Sequence, residues 1–486
     1  QTSNIFGPML LLILAAFLTV VATDSQCASD GQCGSSSLEE QLDTLVATKH
    51  REYCASRLGL VRQTGKLPKR VAFPILQDAL VTSNFPVEKA WREEFIKSGY
   101  EQTSSVLSAT FIMSKRDRFD LLPFGGVCGA TQMFNQIPGQ SIWTDKVSAS
   151  RALRAKGLAH TQPMTLLFEK GSSANELQQL DTELAAWKAM SADTRPPGDV
   201  VAFIHKRAGA HNSQGITLLS WDELLQRRER NKSGKGKPLT DFLVPGLLQR
   251  YLDPPLLLAG HKADLRCYIL VANVKPLAAF FYKDWFARRS PQPYSPRETD
   301  PDKGALTAAA HLKLPGGQSV DEALHDAQLS PERMAAILHN EDRLGGVAPA
   351  RWLRDTFIPR LKHLTSRTLQ AVIDGFSPKA GYYSVYGLDV LVDAEFNVYF
   401  SEMNPSPQLS DVGASAWKRD LNRQLVAELA DLEETVLRAR ALPGQSGGKE
   451  QMIRELRDRA VGFSPLALEE PEGVRWYHEL QKGDRL

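Results

Sequence analysis

Asp389, Glu402 and Asn404 are the residues of this 486-residue chain whose types and spacing best suit chemistry. They lie in residues 382–407, where two runs rich in Val, Leu, Tyr and Phe flank the polar turn Asp393-Ala394-Glu395-Phe396-Asn397, a hairpin pattern. Centring the hairpin between Glu395 and Phe396 sets Asp389 opposite Glu402. The two-residue period of a strand then brings Asn404 to the same face, beside Leu391 and Phe400. Two carboxylates facing each other on a largely apolar sheet repel, and burying them is costly unless a cation lies between them. Asp, Glu and Asn oxygens are hard ligands that suit Mg²⁺, which keeps coordination positions for water and nucleotide phosphates. Without the metal, one carboxyl of such a pair is expected to take up a proton more readily. A wetted, solvent-facing strand is the plain alternative, and the strongly apolar flanks weigh against it.

Further charged residues sit on strand-like runs. In Lys262-Ala263-Asp264-Leu265-Arg266 the strand period places Lys262, Asp264 and Arg266 on one face. Lys206 ends the apolar run 200–206 and precedes a loop containing Ser213, Gln214 and Gly215. A basic run at 227–237 holds six cations and one anion, so it reads either as a solvated loop or as a contact for an acidic peptide.

The elements that position these residues alternate along the chain. Short apolar runs and helical stretches between 68 and 156 imply a smaller N-terminal α/β domain. From 157 to 442 the pattern is again mixed: a helix at 176–190, strands at 200–206 and 215–220, a helix at 221–228 and strands at 247–252 and 265–274. A Pro-rich irregular segment covers 289–318, and helices are expected at about 320–340 and 350–373. Residues 443–486 begin with a Gly/Ser linker and read as a peripheral tail. The fold class is α/β (α+β).

Several segments, in order, resemble the tubulin tyrosine ligase-like family, a branch of the ATP-grasp ligases. The 387–407 hairpin is similar to that family's closing hairpin, which implies that Asp389, Glu402 and Asn404 bind the Mg²⁺ ions bridging ATP phosphates. Residues 200–220 resemble its strand, lysine and flexible loop, implying phosphate contacts from Lys206, Ser213, Gln214 and Gly215, although Lys206 is followed by Arg207 where the family has proline. Gln249, Arg250, Tyr251 and Leu252 resemble its adenine-reading hinge, followed by Lys262, Asp264 and Arg266. Arg266 and Arg288 are implied at the phosphates or the acyl phosphate, where a planar donor fork fits, with Lys262 as a further catalytic cation. Residues 129–146 are similar to a family stretch with Asn135, Pro138 and Lys146. His311-Leu312-Lys313-Leu314 lacks the family's asparagine, which bears on substrate handling. The resemblance spans about residues 70–440 and implies an ATP-grasp fold that joins an amino acid (glutamate, or else glycine or tyrosine) to a protein, typically tubulin's acidic tail. Alternatives are a non-catalytic ATP-binding scaffold, or a secretory-pathway ligase with a non-tubulin substrate.

The secretory alternative comes from the N-terminus. Residues 5–22 are apolar with Thr19 as their one polar side chain, a length open between signal peptide and membrane anchor. Residues 24–67 read as a polar stalk, with 41–58 helical and polar. This segment implies a membrane-associated or secretory location, whereas the family resemblance implies cytoplasm or cytoskeleton. Five scattered cysteines do not make a disulfide scaffold, though Cys27 and Cys33 are close enough to bridge in an oxidising compartment. A formal net charge of +2 excludes a chain built to coat nucleic acid.

Overall fold

The computed structural model describes residues 38–72, 86–114, 119, 122, 126–169, 174–209, 215–233, 246–300, 320–409, 411, 413–442, 448–470 and 473–476. Strands β1 (Arg70–Ala72), β2 (Glu101–Thr103), β3 (Phe111–Ile112) and β4 (Met133–Phe134) form a parallel sheet in the order β2-β1-β3-β4. An antiparallel sheet follows, in the order β5-β8-β6-β7, from β5 (Thr165–Phe168), β6 (Val201–Arg207), β7 (Ile216–Ser220) and β8 (Gly246–Arg250). The largest sheet joins β9 (Leu257–Leu258), β10 (His261–Asn273), β11 (Ala278–Tyr282), β12 (Phe286–Arg289), β13 (Gln328–Leu329), β14 (Ser384–Val392), β15 (Val398–Asn404), β16 (Phe463–Glu470) and β17 (Gly473–Trp476). At 13 residues, β10 is long enough to pair on one edge with both β12 and β11 while β14 pairs along the other.

The alternation of β10 sets the layering. Ala263, Leu265, Cys267, Ile269 and Val271 point into the main core with Trp285, Leu361, Leu388 and Val390. The other face changes character along its length. Lys262, Asp264 and Arg266 give way to Tyr268, Leu270 and Ala272, which are buried in a second core with Leu421, Leu425, Leu429 and Val436 of helix Ala416–Ala441. A charged half and an apolar half thus share one strand face, and the helix covers the apolar half. Local signals place the elements. Ser220 caps helix Trp221–Lys232 by accepting from the Glu223 N–H at 3.2 Å. In the β14–β15 turn the Asp393 carboxylate accepts from the N–H groups of Glu395 and Asn397 and stabilises Phe396 at φ 64°.

Both ends of the described chain differ from expectation. Residues 41–58, expected to be helical within a polar stalk, belong to the longer helix Leu38–Thr64, which packs through Val61 and through Arg57 rather than standing free. Its polar composition hides the fact that Arg57 satisfies backbone carbonyls. The C-terminal segment is not a peripheral tail over 448–470. Met452, Ile453 and Leu456 of helix Gly448–Arg459 enter the second core, and β16 pairs with β11. The expected helix at 320–340 is interrupted by β13. The apolar segment 5–22, Cys27 and Cys33, and residues 301–319, including His311, lie outside the described residues. Among those described, no helix is long and apolar enough to cross a membrane.

Glu433 is fully buried in helix Ala416–Ala441, and neither carboxyl oxygen has a hydrogen-bond partner. Burial raises its pKa well above the usual carboxylate value, against a smaller opposing pull from Arg440. A folded pKa above the unfolded one means that folding takes up a proton, so stability falls as pH rises above the unfolded value, by about 1.4 kcal/mol per unit until the folded pKa is reached. Glu433→Gln is therefore expected to leave urea stability near pH 4 almost unchanged and to flatten the decline towards pH 8. An equally steep decline in the variant would show that Glu433 is not its source.

Candidate active site

One row of residues crosses four strands of the large sheet. Phe286 on β12 pairs with Arg266 on β10, Arg266 with Asp389 on β14, and Asp389 with Glu402 on β15. The next row holds Tyr268, Gly387 and Asn404. On the other side, Asp264 pairs with Arg288. Asp389 and Glu402 thus face each other as the hairpin spacing predicts, although the hairpin is not regular. A bulge precedes Glu402, so that Val390 opposes Phe400 and Leu391 opposes Tyr399, and Phe400, expected on the carboxylates' face, is buried in the main core with Val390 instead. The extra residue is Ser401, which no period-two reading places in the site.

Salt bridges fix these side chains. Arg266 donates to Asp389 from Nε to Oδ1 at 2.5 Å and from Nη2 to Oδ2 at 3.2 Å. Arg288 Nη2 lies 3.1 Å from Asp389 Oδ2, while its Nε donates to Asp264 at 2.7 Å. Lys146 Nζ lies 3.1 Å from Glu402 Oε2. Burial opposes the charge on Asp389, but the two arginines outweigh it and hold the carboxyl below its ordinary value. The expectation that one of the paired carboxyls readily protonates is therefore corrected at Asp389: guanidinium groups, not a proton, neutralise it. Gly387 gives Arg266 room, since a Cβ there would sit 3.1 Å from Arg266 Nη1 and 3.0 Å from Pro407 Cβ.

The antiparallel sheet supplies the facing wall. Lys206 Nζ donates to Gln249 Oε1 at 3.0 Å and to Ser401 Oγ at 3.4 Å, bridging β6 to β15. Burial, only partly offset by Glu402, lowers its pKa to about 8, with Lys146 and Lys262 adding to the depression. Lys262 is buried and donates to the Tyr251 hydroxyl at 2.9 Å. Tyr251 belongs to a small apolar cluster with Val201, Ile204 and Leu218, separate from the helix-covered cluster that contains Trp187 and Trp221. Lys146, Lys206, Lys262, Arg266 and Arg288 thus gather around Asp264, Asp389 and Glu402, five cations against three carboxylates. Such an excess favours an anion.

Comparison with known proteins bears on this arrangement. The family model described as "Tubulin-tyrosine ligase family" matches residues 128–437, more than half of the chain. The chain belongs to the tubulin-tyrosine ligase family. It is similar to the Mus musculus protein polyglycylase TTLL10, at 27% identity over 57% of this chain and 40% of the relative. It is also similar to the Homo sapiens tubulin monoglycylase TTLL3 (27%; 48% and 30%) and to the Caenorhabditis elegans probable tubulin polyglutamylase ttll-9 (24%; 53% and 58%). The chain therefore spans between about a third and three fifths of the length of these relatives.

Within this family member, not every residue singled out from sequence converges. Arg250 turns away from Gln249 by strand alternation, stacks 4.4 Å over the Trp221 ring and approaches Glu183. Leu252 is half-buried beyond the end of β8, and among the described residues Asn404 donates only to the Gly387 carbonyl, at 3.4 Å. Gly215 adopts φ 70° and its carbonyl accepts from Arg207, whereas Ser213 and Gln214 lie outside the described residues. The basic run is not a free loop over 227–232. It continues helix Trp221–Lys232, with Arg227 paired to Glu223 and both Arg228 and Lys232 to Asp181. Lys146 and Ser401 are the additions. Lys146 stands out in the sequence only through the family stretch 129–146, and Ser401 is placed by the bulge.

Asp389 and Glu402 are expected to differ sharply when neutralised. Asp389→Asn leaves two buried guanidiniums short of a counter-charge and should cost about 3 kcal/mol in chemical denaturation. Glu402, 29% exposed with a single lysine contact, should cost less than about 1 kcal/mol as Glu402→Gln. Because the folded pKa of Asp389 lies below its ordinary value, its contribution is complete above the unfolded carboxyl pKa of about 4 and is lost as pH falls through the folded one. The Asp389→Asn penalty should accordingly shrink in acid. Equal costs for the two variants at neutral pH would refute this division of roles.

Proposed function

We propose that this family member is an ATP-dependent carboxylate–amine ligase of the ATP-grasp type, adding an amino acid to an acidic protein segment. The observation that carries the proposal is the excess of cations over carboxylates gathered where the two antiparallel sheets meet. In this reading Gln249, Arg250, Tyr251 and Leu252 form the adenine hinge, the base resting against Ile204, Leu218 and Tyr251. Lys206 and the loop ending at Gly215 meet phosphates, with Lys262 and Asp264 beside them. Arg266 and Arg288 stabilise charge on the transferring phosphoryl group. The oxygens of Asp389, Glu402 and Asn404 suit Mg²⁺ by donor type, and the ion would supply charge neutralisation at the phosphates.

The arrangement also explains how such a site persists without nucleotide. Arg266, Arg288 and Lys146 neutralise the carboxylates until phosphates arrive, and those same cations are the groups a polyphosphate needs. Ligation then runs in two displacements. An acceptor carboxylate oxygen attacks the γ-phosphorus and the bond to the β-phosphate oxygen breaks, leaving an acyl phosphate and ADP. The amine nitrogen next attacks the acyl carbon, loses a proton, and phosphate departs. For the amino acid we place glycine ahead of glutamate, because two of the three relatives named above are glycylases.

Purified protein incubated with Mg²⁺, ATP, a glutamate-rich tubulin-tail peptide and labelled glycine, glutamate or tyrosine tests this reading. ADP release and a peptide mass increase should depend on the amino acid, and Glu402→Gln should lower the rate by orders of magnitude. ATP binding without amino-acid-dependent ADP release would instead mark a nucleotide-binding scaffold. A second readout concerns Lys206. With its pKa lowered to about 8, bringing a polyanion beside it at pH 8 should draw in about half a proton. Calorimetry in two buffers of different ionisation enthalpy would register the uptake, and Lys206→Met should abolish it.

A further inference from the structure

Cys54 and Cys128 are joined by a disulfide across a sequence separation of 74 residues, with Cα atoms 5.2 Å apart, inside the span such a bridge needs. Cys54 lies on helix Leu38–Thr64, and Cys128 is buried at the start of the segment that leads into β4. The partners are brought together by more than the bond. Arg57, one helical turn beyond Cys54, donates to Thr131 Oγ1 (3.1 Å) in that segment and to the carbonyls of Leu107 (3.0 Å) and Ala109 (2.9 Å) ahead of β3, docking the helix on both. Cys267 is a free thiol but is buried in β10, where burial raises its pKa far above the usual thiol range and keeps it inert. Among the described residues, then, no cysteine presents an exposed free thiol. That pattern belongs to proteins that mature under oxidising conditions, since cytosolic reductants keep such pairs as thiols. The uncharged apolar segment 5–22 points independently in the same direction.

We infer that this chain is oxidised at Cys54 and Cys128 in an oxidising, secretory-type compartment, and that its acceptor carboxylate therefore belongs to a luminal or exported protein rather than a cytosolic one. The acceptor half of this inference rests on the ligase reading above. Forming the bond removes one proton from each thiol and passes two electrons to a disulfide-donating oxidoreductase, whose own disulfide becomes a dithiol. The competing state is reduced. His50, one turn before Cys54, brings its imidazole within 4.8 Å of both sulfurs, so the reduced pair could hold a metal ion with it.

The full chain, residues 1–37 included, is expressed in eukaryotic cells whose thiols are blocked with a permeable maleimide before lysis, then digested without reduction for mass spectrometry. The expected result is a linked Cys54–Cys128 peptide carrying no maleimide, together with a catalytic region that resists protease in intact microsomes and is cut once detergent is added. Maleimide on both cysteines, zinc co-purifying with the reduced pair, or cleavage in intact microsomes would each overturn the inference. On the purified protein, a reductant should lower the thermal midpoint by several degrees and have no such effect on Cys54→Ser; equal shifts would count against the bond. Amino-acid-dependent ADP release is scored separately. A linked, protected chain without it sinks only the ligase reading, whereas an active chain with free thiols sinks only the compartment.

Discussion

Asp389 sits between two arginines, and much of the site follows from that constraint. A carboxylate buried in a sheet is tolerable only with counter-charge, and here the counter-charge comes from two neighbouring strands, Arg266 on β10 and Arg288 on β12. Each arginine is fixed in turn. Arg288 is shared with Asp264, and Arg266 lies in the space left by Gly387. Removing any one of these leaves an unmatched charge in a low-dielectric setting, which costs more than the pair contributes by forming. Coupling of this kind fixes the register of β12, β10 and β14 more tightly than apolar packing alone, because a one-residue slip would turn every charged side chain into the core.

The split face of β10 supplies the second constraint. Helix Ala416–Ala441 covers the apolar half through Leu421, Leu425 and Leu429 and leaves the charged half to be met from the antiparallel sheet. At the boundary, Lys418 lies over the rings of Tyr268 and Phe286, at 5.3 and 5.2 Å, and donates to Asn422. Burial drives its pKa well below the usual lysine value, with Arg266 pushing the same way. The second core therefore ends beside the cationic cluster rather than at solvent, and the low-dielectric wall it provides strengthens every charge interaction in the cleft.

What was legible in the sequence follows the range of the interactions involved. The hairpin and the amphipathic register of Lys262, Asp264 and Arg266 are set by alternation along single strands, and the Asp389–Glu402 pairing came out as expected. The turn itself is centred on Glu395 rather than between Glu395 and Phe396, and the bulge at Ser401 restores the expected register from Asp389 onward. Features that depend on contacts between distant segments were not legible. Lys146 reaches Glu402 across more than 250 residues, Arg228 finds Asp181, and Cys54 finds Cys128. The docking of helix Leu38–Thr64 and the pairing of the C-terminal hairpin were missed for a related reason. Their anchoring lies in a few side chains that meet remote backbone or a remote strand edge, while their average composition looks peripheral.

Self-compensation in the cleft also limits what can bind there productively. A weakly charged ligand gains little from Lys146, Arg266 and Arg288, because each of these must first leave a carboxylate. In the ligase reading proposed above, phosphate oxygens would take over the guanidinium and ammonium groups, and Asp389, Glu402 and Asn404 would hold a divalent metal that supplies the carboxylates with counter-charge. Such an exchange would be close to neutral in number of ion pairs, which would favour both charges arriving together. Lys206 fits the same logic. Burial, with neighbouring Lys146 and Lys262, lowers its pKa to about 8, so an anion beside it stabilises the charged form. On these grounds the charge distribution favours a polyanion that brings its own counter-cation over a singly charged ligand.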